Sequence, residues 1–253
     1  MDITFVGAGP GDPELITIKG QKCLQAADII IYAGSLVNPA LLELAKPETE
    51  IYNSASMTLE EVIRVMAEGV AAGKQIVRLH TGDPSIYGAI KEQMDELDKL
   101  GISYEVIPGV SSFLATAAAL HTEYTLPDVS QTVIITRAEG RTPMPSKEKL
   151  SRLAAHQATM CIFLSISMLD KVVKELLDGG YTLETPIAIV QKASWPEQRI
   201  FKGTLATICE IMKDEGVERT AMIVVGKVLH SEYSLSRLYS ADFAHMFREA
   251  ASD

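Results

Sequence analysis

The chain has 253 residues, 47% hydrophobic and 22% charged, a balance that excludes a disordered or fibrous protein and leaves room for two domains of ordinary size. Its formal charge of −10 would repel a phosphate backbone, which argues against nucleic acid as a partner. No stretch approaches the roughly 18 consecutive apolar residues of a membrane span, and the start Met1-Asp2-Ile3-Thr4-Phe5-Val6 lacks a basic leader, so a cytoplasmic protein without membrane contact is expected.

In chain order, Ile3 to Gly7, Ile29 to Tyr32, Gln75 to His80 and Tyr104 to Pro108 read as strands. Their apolar runs do not alternate with polar residues, the pattern of parallel strands covered by helices on both faces. A helix opening at Leu59 places Leu59, Val62, Ile63, Met66 and Val70 on one face, and Thr58 with Glu61 supplies a capping box. The apolar helix Phe113 to Leu120 is followed by His121 to Ser130, whose Pro127 and polar residues mark a connection. The expected domains are therefore 1–120 and 121–253.

The second half continues the α/β pattern. Strands are expected at Thr132 to Thr136, Met160 to Leu164, Ile187 to Val190 and Met222 to Val225, and Ala138 to Ser146, with Gly140, Pro143 and Pro145, reads as a loop. A helix from Leu169 to Leu177 is marked at its start by Ser167 and stopped by Gly179-Gly180. Cys23, Cys161 and Cys209 are isolated within apolar patterns, so no disulfide is expected. His80, His121, His156, His230 and His245 lack zinc-site spacing, and no protein-held metal is expected.

Three loops stand out, each directly after a strand. Gly7-Ala8-Gly9-Pro10-Gly11-Asp12-Pro13 lets the backbone approach a ligand, but Pro10 and Pro13 remove amide donors, which disfavours a nucleotide phosphate. Its plainer reading is a tight turn with Asp12 as cap and Pro13 in the first helical position. Thr81-Gly82-Asp83-Pro84-Ser85-Ile86-Tyr87-Gly88 and Pro108-Gly109-Val110-Ser111-Ser112 follow later strands. Here Asp83 as a helix cap and Tyr87 as a core residue are the plainer alternatives. Glycine-rich turns at three strand ends of one sheet point to a common pocket at its carboxyl edge.

Taken in order, Val6 to Asp12, Gly82 to Gly88 and Pro108 to Ser112 resemble the signatures of the tetrapyrrole methylases, and Pro186 to Ala193, Gln198, Gly203-Thr204-Leu205 and Ala221 to Gly226 extend the resemblance over nearly the whole chain. Within that family, Tyr32-Ala33-Gly34-Ser35-Leu36-Val37, Ser54 to Thr58, Thr136-Arg137 and Gly140-Arg141-Thr142-Pro143 are similar to the branch that methylates C11 of precorrin-4, with or without cobalt, to give precorrin-5. The resemblance implies two unequal α/β domains with the cofactor in the cleft between them, a homodimer, and S-adenosylmethionine as methyl donor with S-adenosylhomocysteine as product. The cofactor contacts it implies are Pro10, Gly82, Asp83, Ile86, Tyr87, Ser111, Ser112, Leu164, Ala193, Ala221 and Met222, several through main chain. Two departures are Leu164-Ser165, where many relatives have Met-Gly, and Thr220, where many have Pro. The alternatives are another acceptor, such as uroporphyrinogen III or a different precorrin, and a ligand-binding protein without catalysis.

A sulfonium methyl is already a strong electrophile, so positioning is expected to dominate and no catalytic triad is expected; Asp83 would orient the cofactor. A polycarboxylate substrate calls for local positive charge. The densest basic stretch is Arg137, Arg141, Lys147, Lys149 and Arg152, of which Arg137 and Arg141 are the expected substrate-binding residues, because a guanidinium grips a carboxylate bidentately.

Overall fold

The computed structural model of the chain describes residues 2–230, 233–235, 243–244 and 246–249; His245, weighed above as a metal ligand, lies outside them. Two compact units emerge, one formed by Met1–Ala119 with Val190–Arg199, the other by Leu120–Ile189 with Ile200–Asp253.

The first unit runs β1 (Ile3–Gly7), α1 (Ile18–Ala26), β2 (Ile29–Tyr32), β3 (Glu50–Asn53), α2 (Leu59–Ala71), β4 (Ile76–His80), α3 (Ile90–Leu100), β5 (Tyr104–Ile107) and α4 (Ser112–Leu120). Its sheet has the order β3-β2-β4-β1-β5, with every neighbouring pair parallel. Both faces are covered, which is why the strand sequences are apolar without alternation. Phe5, Ile31 and Ile76 pack with Val62, Ile63 and Met66 of α2 and Leu97 of α3 on one face. Val6, Ile30, Val77 and Leu79 pack with Leu24 of α1 and with Leu41 on the other.

The capping box of α2 is formed: the Thr58 hydroxyl accepts from the Glu61 amide at 3.3 Å, and the Glu61 carboxylate accepts from the Thr58 amide at 2.8 Å. The strand that the sequence pattern does not announce is β3, a sheet-edge segment whose Glu50, Ile51 and Asn53 are exposed. The register pairs Gly7 with His80 and Val6 with Ile107, so the carboxyl ends of β1, β4 and β5 lie side by side.

After α4 the chain runs β6 (Val133–Arg137), α5 (Leu150–Ala154), β7 (Thr159–Phe163), α6 (Leu169–Asp178), β8 (Pro186–Gln191), β9 (Arg199–Thr204), α7 (Ile208–Met212) and β10 (Ala221–Val225). Strand order is β6-β7-β10-β8-β9, with β6 parallel and β10 antiparallel to β7. The core of the second unit gathers Met160, Ile162, Val172, Leu176, Ile189, Ile208 and Ile223. β9 is likewise unannounced in the sequence, and it too is an edge strand. The start of α6 is corrected: Ser167 lies inside a 3-10 turn, Ile166–Met168, and the cap position Met168 makes no side-chain bond. The glycine stop holds, with Gly179 as cap and Gly180 at φ 104°. The three thiols are free. Among the described residues no helix is long and apolar enough to cross a membrane.

Candidate functional site

The three glycine-rich loops converge at the carboxyl edge of the parallel sheet. The Gly82 amide donates to the Gly9 carbonyl at 2.8 Å and the Gly9 amide to the Gly82 carbonyl at 3.2 Å, closing a two-residue bridge between the first and second loops. A Cβ on Gly109 would lie 2.2 Å from the Gly82 carbonyl oxygen and 2.8 Å from the Gly7 Cα. The glycines are thus required because three backbones meet where no side chain fits.

Asp83 ties the second loop to the third. Its Oδ2 accepts from the Gly109 amide at 2.8 Å, while Oδ1 accepts from the Ser85 amide at 2.8 Å and from the Ser85 hydroxyl. Burial pushes its carboxyl up, but the Ser85 hydroxyl, the Gly109 amide and the Ser85 amide together outweigh this and hold it below the ordinary aspartate value. A full negative charge therefore sits at the loop junction at neutral pH. The helix-cap alternative for Asp83 is replaced by this bridge, since α3 begins only at Ile90. Tyr87 is 46% exposed rather than in the core, and holds a left-handed backbone at φ 56°. Such conformations persist in a bulky residue only where the surroundings over-determine them, and they gather at ligand sites.

Asp12 does behave as the plainer reading has it, capping a 3-10 turn Pro13–Leu15 through the Glu14 amide at 2.9 Å. What the sequence does not reveal is how the first loop is held from outside. Trp195 Nε1 donates to the Pro10 carbonyl at 2.9 Å, the Asp12 amide donates to Ser194 Oγ at 3.0 Å, and Asn38 Nδ2 donates to the Gly11 carbonyl at 2.8 Å. Ala193, one residue before this pair, is buried. Ser111 is buried and Ser112 opens α4.

Within the second unit, the expected residues also share a sheet edge. Arg137 ends β6 opposite Phe163, Leu164 follows β7, and Ala221 opens the antiparallel β10, whose Ile223 pairs with Ile162. Leu164 is 62% exposed with φ 54°, a left-handed backbone that a leucine holds only where its surroundings over-determine it. The adjoining Ser165 is fully buried; its hydroxyl donates to the Phe163 carbonyl at 2.6 Å and accepts from the Ala138 amide at 2.8 Å. Met222 is buried, so its side chain serves the core.

Arg137, expected to grip a carboxylate, turns inward on its own loop. Its Nη1 donates to the carbonyls of Ala138 at 3.3 Å and Thr142 at 3.2 Å, and Nη2 to that of Pro143 at 3.0 Å. Arg141, on the loop so held, is exposed, as are Lys147, Lys149 and Arg152.

Backbone-walled loops and an ionised aspartate suit a cationic ligand with several polar edges, and glycines that exclude side chains suit its close approach. The model of the Tetrapyrrole (Corrin/Porphyrin) Methylases matches residues 2–209. The cobalt-precorrin-4 C(11)-methyltransferase of Methanocaldococcus jannaschii is 63% identical over 98% of this chain and 96% of its own length. The X-ray structure of a cobalamin biosynthetic enzyme, cobalt precorrin-4 methyltransferase, superposes with a TM-score of 0.88 at 47% identity, covering 90% of this chain and 96% of the other. A Thermus thermophilus uroporphyrin-III C-methyltransferase, crystallised with S-adenosylhomocysteine, gives 0.75 at 28% identity over 90% and 93%. The sequence signatures, the joined loops and these likenesses lead to one assignment: the chain belongs to the tetrapyrrole methylase family.

Proposed function

We propose that the chain is an S-adenosylmethionine-dependent C-methyltransferase of corrinoid biosynthesis, methylating C11 of precorrin-4 or cobalt-precorrin-4 to give the corresponding precorrin-5 and S-adenosylhomocysteine. The observation that carries this reading is the locking of three glycine loops around Asp83 at one sheet edge, in a chain whose relatives bear that activity in their names. Pro10, Gly82, Asp83, Ile86, Tyr87, Ser111, Ser112 and Ala193 are assigned to the cofactor, and Leu164, Ala221 and Met222 are carried over from the family pattern as main-chain contacts.

When bound, S-adenosylmethionine supplies a methyl group already activated by its positively charged sulfur. The chain's own work is then placement. Well-oriented partners reach effective molarities of roughly 10⁵ to 10⁸ M, enough for much of the acceleration without a protein nucleophile. Asp83, ionised and clamped by three donors, orients the cationic ligand without moving a proton. The loop amides, held by their own hydrogen bonds, would supply a fixed polar wall in place of mobile water. On the second unit, Arg141 is assigned to the substrate carboxylates, and Arg137 contributes by shaping the loop that presents it. A cytoplasmic homodimer is part of the same reading.

The test is incubation of the purified protein with S-adenosylmethionine and, in separate arms, metal-free precorrin-4, cobalt-loaded precorrin-4 and uroporphyrinogen III, followed by mass spectrometry. A one-methyl mass increase is expected in a precorrin-4 arm. Methylation of uroporphyrinogen III alone would move the chain to another acceptor, and tight binding of S-adenosylhomocysteine with no product in any arm would make it a binding protein without catalysis.

A further inference from the structure

The first glycine loop is the least self-supporting part of the site. Pro10 has no N–H to give, and the carbonyls of Pro10 and Gly11 and the amide of Asp12 are bonded to Trp195, Asn38 and Ser194, none of them in the loop. Two of these partners belong to the turn 192–198, which is itself rigidly built. The Trp195 amide donates to the Lys192 carbonyl at 2.9 Å, the Gln198 amide to the Trp195 carbonyl at 3.1 Å, and the Ser194 amide to Gln198 Oε1 at 2.8 Å. Lys192 and Ser194 hold left-handed backbones at φ 49° and 69°. The Lys192 ammonium lies 5.3 Å from the Trp195 ring centroid, so the indole is fixed from a second side. A Cβ on Gly11 would fall 1.9 Å from Trp195 Cδ1, so the glycine is needed for the indole to lie against the loop.

We infer that Trp195 and Ser194 are positioning residues for the cofactor: they set the place of Pro10 and, through it, the wall that the first loop presents to the ligand. Neither need touch the reacting atoms. This inference rests on the reading of the three loops as the S-adenosylmethionine site. Trp195 is also the chain's single tryptophan, so tryptophan emission reports on the surroundings of this one residue.

The test is calorimetric titration of S-adenosylhomocysteine into the full chain, the Trp195→Phe and Ser194→Ala variants, and Asp83→Ala as a reference. Trp195→Phe keeps an aromatic ring but removes the N–H donor together with part of the indole surface, and a lost hydrogen bond of this kind corresponds to roughly a three- to tenfold weakening. Each of the two variants is expected to weaken S-adenosylhomocysteine by about that factor while leaving the tetrapyrrole KM unchanged. In the unaltered protein, tryptophan emission is expected to change saturably over the same titration, a readout that does not depend on either variant folding. Unchanged affinity in both variants, with Asp83→Ala weakened, overturns the positioning role and leaves the cofactor site standing. Unchanged affinity in Asp83→Ala as well overturns the cofactor reading itself. Calorimetric binding with no change in emission also counts against the inference.

Discussion

Asp83 and Gly109 are joined by a hydrogen bond of 2.8 Å from the glycine amide to the carboxylate, and this single contact fastens the loop after β4 to the loop after β5. With its other oxygen on Ser85, the aspartate satisfies the Gly109 amide and both the amide and the hydroxyl of Ser85. Asp83→Ala is expected to weaken S-adenosylhomocysteine at least about tenfold, since charge-assisted bonds to a carboxylate are roughly twice as strong as neutral ones. Asp83→Asn should fall between, because an amide presents one acceptor where two are used. The folded carboxyl titrates below its ordinary value, despite opposing burial, because Ser85 and Gly109 donate to it. In the folded chain it therefore stays ionised, and keeps its bonds, until pH falls through that lowered value. Affinity measured calorimetrically should be flat in this group from about pH 5 to 8 and decline only below about pH 4.

The glycine cluster predicts a sharp contrast between two alanine substitutions. In Gly109→Ala the new methyl meets the Gly82 carbonyl and the Gly7 Cα, both backbone. Overpacking of this sort costs about 1–3 kcal/mol and more where backbone must move, and the displaced loops should no longer bind S-adenosylhomocysteine measurably. Gly73, with φ 71° and no atom within 4 Å of the place a methyl would take, is the control. Gly73→Ala should cost only about 1 kcal/mol of backbone strain, seen in urea unfolding, with ligand affinity intact.

The contrast also explains what can be read from the sequence. Close approach of three backbones leaves glycine as its only solution, so those loops declare themselves as GAGPG, GDPSIYG and PGVSS. Strands buried on both faces do likewise: β1 and β2 coincide with their expected limits. The edge strands β3 and β9 do not, because Glu50-Ile51-Tyr52-Asn53 and Arg199 to Thr204 have little to bury and carry the polar residues of a sheet margin. Trp195 escapes the sequence pattern for a different reason. Its partner Pro10 is 185 residues away, and an indole N–H bound to a distant carbonyl leaves no local signal. The inward turn of Arg137 is equally illegible, since a guanidinium on backbone carbonyls looks in sequence like one free for a ligand.

Beneath the second loop, His80 is 4% exposed and its Nε2 has no hydrogen-bond partner among the described residues. Burial, and then the charge of Arg78, push its imidazole down to about 3. Folding therefore holds it neutral, while the unfolded chain takes up a proton near pH 6.5. Stability from this group is complete above that unfolded value and falls as pH drops below it, with a slope of up to about 1.4 kcal/mol per pH unit. Urea unfolding at pH 7.5, 6 and 5 should show this decline in the unaltered protein. His80→Leu should flatten it, and an equally steep decline in the variant would show that other groups govern the acid limb.

The two arginines of the second unit should separate by what each holds. Arg141 is exposed on the loop 138–146, and Arg141→Met is expected to raise the tetrapyrrole KM without altering thermal stability or S-adenosylhomocysteine affinity. Arg137→Met removes the donor to the Ala138, Thr142 and Pro143 carbonyls, so it should raise the same KM and also speed amide exchange across the loop. Arg137→Lys should not rescue it, because one ammonium cannot reproduce a fork that spans three carbonyls. Replacing both arginines with Met should raise KM further, with cofactor affinity unchanged by calorimetric titration. Loss of that affinity in the double variant would move the basic loop from the substrate to the cofactor, and an Arg137→Met protein with unchanged exchange in 138–146 would remove the division of labour between them.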